Sequence, residues 1–306
     1  MDNINLQRIE GYTVQLVAED VWAIDEFGAD IIYLVKGEKS AAVIDTGSGF
    51  GNLKKVIETL TDLPYVVLNT HGHLDHVGGN HEFGKAYLSE KDFKMADTEK
   101  LRSGWKHYVE KTKKEPGFYG TEYIIEGREP GDFQMLPLSE HQIFDLGGRS
   151  LEVLFTPGHT PGSVVFLDRK NKFLFAGDSV VSTPILIFDT YSSTVKEYAE
   201  GLKKLDKEDF ELIFPGHFLR PIGKAILHDL ITCADKIVEG TAKPEPMVQT
   251  SVYAKTVVLF RFTIIPAATV VVPCVRLFQR KCGWMPAERM CLMHPTSTWY
   301  LQFLTS

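Results

Sequence analysis

His71-Gly72-His73-Leu74-Asp75-His76 puts three imidazoles and a carboxylate into six residues, and the reading of the whole chain turns on this run. It follows an apolar stretch of strand character at residues 64–70, so it sits on a loop at the C-terminal end of a strand, where α/β folds keep their sites. Side chains that repel one another when protonated are costly to crowd in this way without a metal. Neutral imidazole suits zinc, iron or manganese, and a carboxylate bridges or completes such a site.

Working outward, residues 13–24 predict one strand, and residues 31–35 and 41–44 predict a hairpin around Gly37-Glu38. Asp45-Thr46-Gly47 ends that hairpin, Gly47-Ser48-Gly49-Phe50-Gly51 reads as a helix-entry turn without a P-loop lysine, and Leu53, Val56, Ile57 and Leu60 fall at helical spacing. Residues 89–140 change character. They are rich in Lys and Glu with Trp105, Tyr108, Phe118, Tyr119 and Tyr123, and predict a helical lid inserted over the site. Strands return at 150–155, 163–167, 172–175 and 211–214, with helices over 194–205 and 222–238. Three more candidate ligands each follow a short apolar strand and a glycine: Gly158-His159, Gly177-Asp178 and Gly216-His217.

Together these motifs resemble the metallo-β-lactamase-fold hydrolases, with HxHxDH at 71–76, His159 in a PGHT turn, Asp178 in GDS and His217 in PGH, all in that family's order. The resemblance covers about residues 10–240 and is closest to the glyoxalase II-like and general hydrolases. It implies an α/β fold of the αββα sandwich type and two divalent metal ions, with zinc expected and iron or manganese as alternatives. One ion would be held by His71, His73 and His159 and the other by Asp75, His76 and His217. Asp178 would bridge them, and Asp75 and Asp178 would be the catalytic carboxylates. A hydroxide between the metals would be the nucleophile. Asp45 resembles the family's supporting acidic residue, consistent with the need of a ligating histidine for an acceptor at its other nitrogen.

Composition narrows the partners. A net charge of -7 argues against a protein built to grip nucleic-acid phosphates, and no apolar run reaches the ~20 residues of a membrane span. Residues 1–12 lack a basic start and apolar block, and of four cysteines only Cys233 precedes position 274, so the expected location is the cytoplasm. The domain is expected to occupy residues 1–255. Residues 256–306 form an anomalous tail with a net charge of +4, three of the four cysteines and no coherent period, and the spread of Cys274, Cys282, Cys291 and His294 does not match a zinc knuckle.

Departures from particular branches bear on the substrate. Asp178 stands where zinc β-lactamases of the Cys type have cysteine, and Val181 stands where they have a lysine and where acyl-homoserine lactonases have tyrosine, a role that only Tyr191 could take from elsewhere. The expectation is a binuclear hydrolase of a small ester, lactone or thioester, with a small-molecule partner and an oligomeric state left open, a homodimer included. Phosphodiesterase or β-lactamase activity, or a metal or redox module without hydrolysis, are the alternatives.

Overall fold

The computed structural model describes residues 6–114, 128–182, 185–188, 190–217, 219–242 and 257–259. The first sheet follows chain order through eight strands: β1 (Leu6–Ile9), β2 (Tyr12–Ala18), β3 (Val21–Asp25), β4 (Ile31–Lys36), β5 (Ala41–Ile44), β6 (Tyr65–Leu68), β7 (Lys85–Leu88) and β8 (Gln134–Pro137). Its first five strands are antiparallel and the last three continue in parallel from β5. The parallel step from β5 to β6 needs a crossover, which α1 (Leu53–Leu60) supplies. The four-residue helix α2 (Leu74–Val77) and the long α3 (Thr98–Lys114) lie between β6 and β8.

The second sheet contains β9 (Ile143–Asp145), β10 (Ser150–Phe155), β11 (Val164–Asp168) and β12 (Phe173–Gly177). After these come β13 (Leu186–Phe188), α4 (Val195–Leu205), β14 (Leu212–Pro215), β15 (Ile222–Gly223), α5 (Ile226–Val238) and β16 (Val257–Leu259). The sheet order is β15-β14-β12-β11-β10-β9, and β13 pairs with β16 in a separate ribbon. Helix α4 is the crossover between parallel β12 and β14, and its start is fixed by a capping box between Thr194 and Glu197.

Three apolar layers hold this arrangement. Tyr33, Val35, Ile44 and Leu68 of the first sheet meet Val153, Val164, Phe166, Phe175 and Phe214 of the second. The opposite face of the first sheet, with Ile32, Leu34 and Val43, covers Leu53, Val56 and Ile57 of α1. The outer face of the second, with Val165, Leu174 and Ile213, covers Tyr198, Leu202, Leu227 and Leu230 of α4 and α5. Strands such as β4 are therefore buried on both faces, which is why they read as unbroken apolar runs. The layering is the expected αββα sandwich. Phe175 and Phe214 stack at 5.0 Å in its middle, and truncating either to alanine should cost about 3–5 kcal/mol.

The structure corrects several sequence readings. Residues 13–24 form a hairpin, β2 and β3, because Asp20 takes a left-handed φ of 55° that reverses the chain. The apolar alternation runs through the turn and hides it. The expected helix at 222 begins only at Ile226, since Ile222-Gly223 pairs with β14 instead. Within 89–140, α3 is helical as expected but β8 belongs to the first sheet, and the short strands β9 and β13 are additions to the expected set. Phe118, Tyr119 and Tyr123 lie outside the described residues, as does the tail apart from residues 257–259, which pair with β13.

Candidate metal centre

Four of the sequence-predicted ligands arrive together on the loop and short helix after β6, and His159, Asp178 and His217 arrive one at a time after β10, β12 and β14. All seven gather at one edge of the sandwich. Ligating atoms of His71, His73 and His159 lie within 4.8 Å of one another, as do those of His71, His76 and Asp178. Asp75 sits at the rim, with its carboxylate 30% exposed and 4.0 Å from His217 Nε2.

The outward nitrogens are committed elsewhere, and this fixes what faces inward. His159 Nδ1 donates to the Leu186 carbonyl (2.7 Å) and His217 Nδ1 to the Ala29 carbonyl (2.9 Å). His71 Nδ1 lies 3.1 Å from Thr70 Oγ1, whose hydroxyl donates to Asp45 Oδ2; that same oxygen accepts from His76 Nδ1 at 2.9 Å. With a proton on each outer nitrogen, His71 Nε2 and His159 Nε2 present lone pairs, yet they point at His73 Nδ1 from 3.0 and 2.8 Å. One ring proton cannot satisfy three converging nitrogens. A cation among them can, so the donor set fits a metal ion.

Beside this nitrogen group lies a carboxylate-rich one. Asp178 Oδ2 is 3.4 Å from His159 Nε2, while Oδ1 is 3.4 Å from His76 Nε2 and 3.2 Å from His217 Nε2, so one carboxylate faces both groups. Gly216 permits this approach, since a Cβ there would stand 2.8 Å from His76 Cε1 and 2.9 Å from Asp178 Oδ1. The two groups also differ in protonation. Burial, then the neighbouring imidazoles, pushes His71 well down, and burial with His159 takes His73 down to about 3. Burial opposes charge on His217 as well, but Asp178 and Asp30 outweigh it and lift it to about 9. The carboxylates that favour a proton there also favour a divalent cation.

Residues that the motifs did not flag hold the loops in place. Asp92 is buried; its Oδ2 accepts from Gly72 N (2.9 Å) and Thr160 Oγ1 (2.6 Å), and its Oδ1 from Gly162 N (2.8 Å). It thus ties the loop of His71 and His73 to the loop of His159. Glu26 accepts from the backbone of Ser48, Gly49 and Phe50, fixing the turn that follows Asp45. Asp92 sits in a charged run that reads as surface, and nothing in the sequence marks it. Tyr191 stands edge-on over His73 at 5.8 Å, half-exposed, its phenol pushed up to about 12 by burial and by Asp75. Trp105 instead packs against Phe50 at 6.4 Å.

Comparison with known proteins agrees with this architecture. Residues 31–217 match the family model of the metallo-beta-lactamase superfamily, and the chain belongs to that superfamily. It is a hydrolase. The acyl-coenzyme A thioesterase MBLAC2 of Homo sapiens is 28% identical over 211 residues, covering 61% of this chain and 72% of the relative. The hydroxyacylglutathione hydrolase GloC of Haemophilus influenzae is 33% identical over 141 residues, covering 46% of this chain and 61% of the relative. Among solved structures, a metallo-beta-lactamase family protein from Thermus thermophilus shares the fold with a TM-score of 0.50 at 21% identity, over 69% of this chain and 76% of that one. Among the described residues no helix is long and apolar enough to cross a membrane.

Proposed function

We propose that the chain is a binuclear metal-dependent hydrolase that cleaves a small acyl thioester to a carboxylate and a thiol, with zinc as the expected ion. The convergence of His71 Nε2 and His159 Nε2 on His73 Nδ1 is the observation that carries this reading. His71, His73 and His159 would hold one ion, and His76, His217 and Asp75 the other, with Asp178 between them. When bound, such ions polarise a carbonyl oxygen and make water acidic enough to ionise near neutral pH.

The chain's own residues do the rest. The Leu186 and Ala29 carbonyls accept from Nδ1 of His159 and His217, so Nε2 is the nitrogen each ring would offer to an ion. Asp45 does the same for His76 and, through Thr70, orients His71. Tyr191, with Phe188 at 4.7 Å, forms an aromatic wall beside His73 against which an acyl group can lie, and its phenol stays protonated at neutral pH. The choice of thioester over ester or lactone draws on the names of the two relatives, both hydrolases of acyl groups carried on sulfur. A small-molecule partner in the cytoplasm accords with the net charge of -7 and the sparse cysteines before position 274.

The test is elemental analysis of protein purified without chelator, together with hydrolysis of acyl-coenzyme A and acylglutathione thioesters beside a lactone, a phosphodiester and a β-lactam. The expected result is two ions per chain with thioesters cleaved fastest. Protein that holds no metal and gains no activity from zinc, manganese or iron overturns the metal centre, and a preference for the phosphodiester overturns the substrate.

A further inference from the structure

Asp30 sits at the head of β4, and both its carboxylate oxygens are buried without a hydrogen-bond partner among the described residues. Its side chain is fully buried. Oδ1 is 3.7 Å from His76 Nδ1, the nitrogen already bonded to Asp45, and ligating atoms of Asp30, His76 and His217 lie within 4.8 Å of one another. Its neighbours bind the same corner: the Ala29 carbonyl accepts from His217, and Ile31 N donates to the Gly216 carbonyl. The carboxylate is therefore held behind both imidazoles of the carboxylate-rich group.

A buried carboxylate without donors is strongly unfavourable unless a positive charge stands close by. No Lys or Arg is paired with Asp30 among the described residues, and the imidazoles beside it are those of His76 and His217. A divalent ion held by His76 and His217 would supply that charge.

Resting on the metal-centre reading above, we infer that Asp30 is a positioning residue for the second ion, acting through His76 and His217 and setting how tightly that ion is kept. It touches neither substrate nor any reacting atom. Loss of such a supporting partner typically weakens metal binding by about 10- to 100-fold.

Asp30→Asn keeps the shape and removes the charge. Chelator titration of the zinc-loaded protein, followed by elemental analysis, should show the second ion leaving Asp30→Asn at about 10- to 100-fold lower chelator than wild type, with the first ion unaffected. Repeating the titration on His73→Ala, with and without Asp30→Asn, isolates the second group. Melting temperature separates a metal role from a merely structural one: metal-free Asp30→Asn should melt at or above metal-free wild type, and zinc should raise its melting temperature less. Unchanged retention of both ions, equal weakening of both, or a metal-free variant that melts well below wild type each overturns the inference. Wild type that binds no zinc at all overturns the metal-centre reading itself, a failure visible before any variant is compared.

Discussion

The nitrogen group of His71, His73 and His159 and the carboxylate-rich group of His76, His217 and Asp178 share an edge of the sandwich but solve opposite problems. In the first, burial keeps His71 and His73 neutral and the difficulty is to hold lone pairs against one another. In the second, carboxylates draw positive charge in, and the difficulty is to bury so many of them. The supporting residues differ accordingly. Asp92 fixes the first group through backbone N–H groups and a hydroxyl of two loops, whereas Asp30 stands behind a ring of the second and Asp45 reaches both, His76 directly and His71 through Thr70. One group is held by geometry and the other by charge.

Asp178 faces both groups, so its loss should have the largest effect. Asp178→Ala should lower kcat by more than about 100-fold, exceeding what loss of a supporting residue costs, and should reduce metal content below one ion per chain. Steady-state turnover with parallel elemental analysis measures both, and near-wild-type values would break the idea that one carboxylate serves two ions. Next comes the contrast between Asp92→Asn and Asp45→Asn. Asp92→Asn should weaken the first ion by about 10- to 100-fold and spare the second, while Asp45→Asn should weaken both, since Asp45 reaches His76 directly and His71 through Thr70. Competition with a chromogenic chelator reads this, and identical profiles would mean that the two groups are not separable.

A smaller effect is expected at Glu26. Burial raises its carboxyl from 4.5 to about 8, partly offset by hydrogen bonds from Ser48 and Phe50. A raised folded pKa means that the folded chain holds a proton which the unfolded chain has lost, so this stability is full below pH 4.5 and fades as pH rises to about 8. Glu26→Gln should flatten that decline in melting temperature, and an unchanged slope would show that the carboxyl does not titrate in this window. The smallest change is expected from a chain that ends at Lys255. It loses the three-residue pairing of β16 with β13, so metal content should hold and melting temperature should fall by a few degrees at most. Loss of the first ion would show that the pairing steadies Leu186, whose carbonyl holds His159.

Several elements were legible because buried strands and amphipathic helices leave different periods: β4, β5 and β6 read as apolar runs, and Leu53, Val56 and Ile57 as one face of α1. The hairpin of β2 and β3 was not legible, since its alternation continues through Asp20. Strand β13 escaped because three residues are too short to show any period.

By itself the sequence singled out side chains with metal-binding chemistry, as His, Asp and Gly at strand ends carry their chemistry in their identity and position. The sandwich itself followed from the family resemblance that those motifs carry, while periodicity marked individual strands and helices. Only the tertiary structure decided what supports the site. Asp92 meets Gly162 across 70 positions and Asp45 meets His76 across 31, and Asp30 comes within reach of His76 only because β4 lies against the loop of His217. Contacts between a side chain and a distant backbone amide or ring leave no local pattern, because they depend on where two loops end in space and not on the order of residues within either.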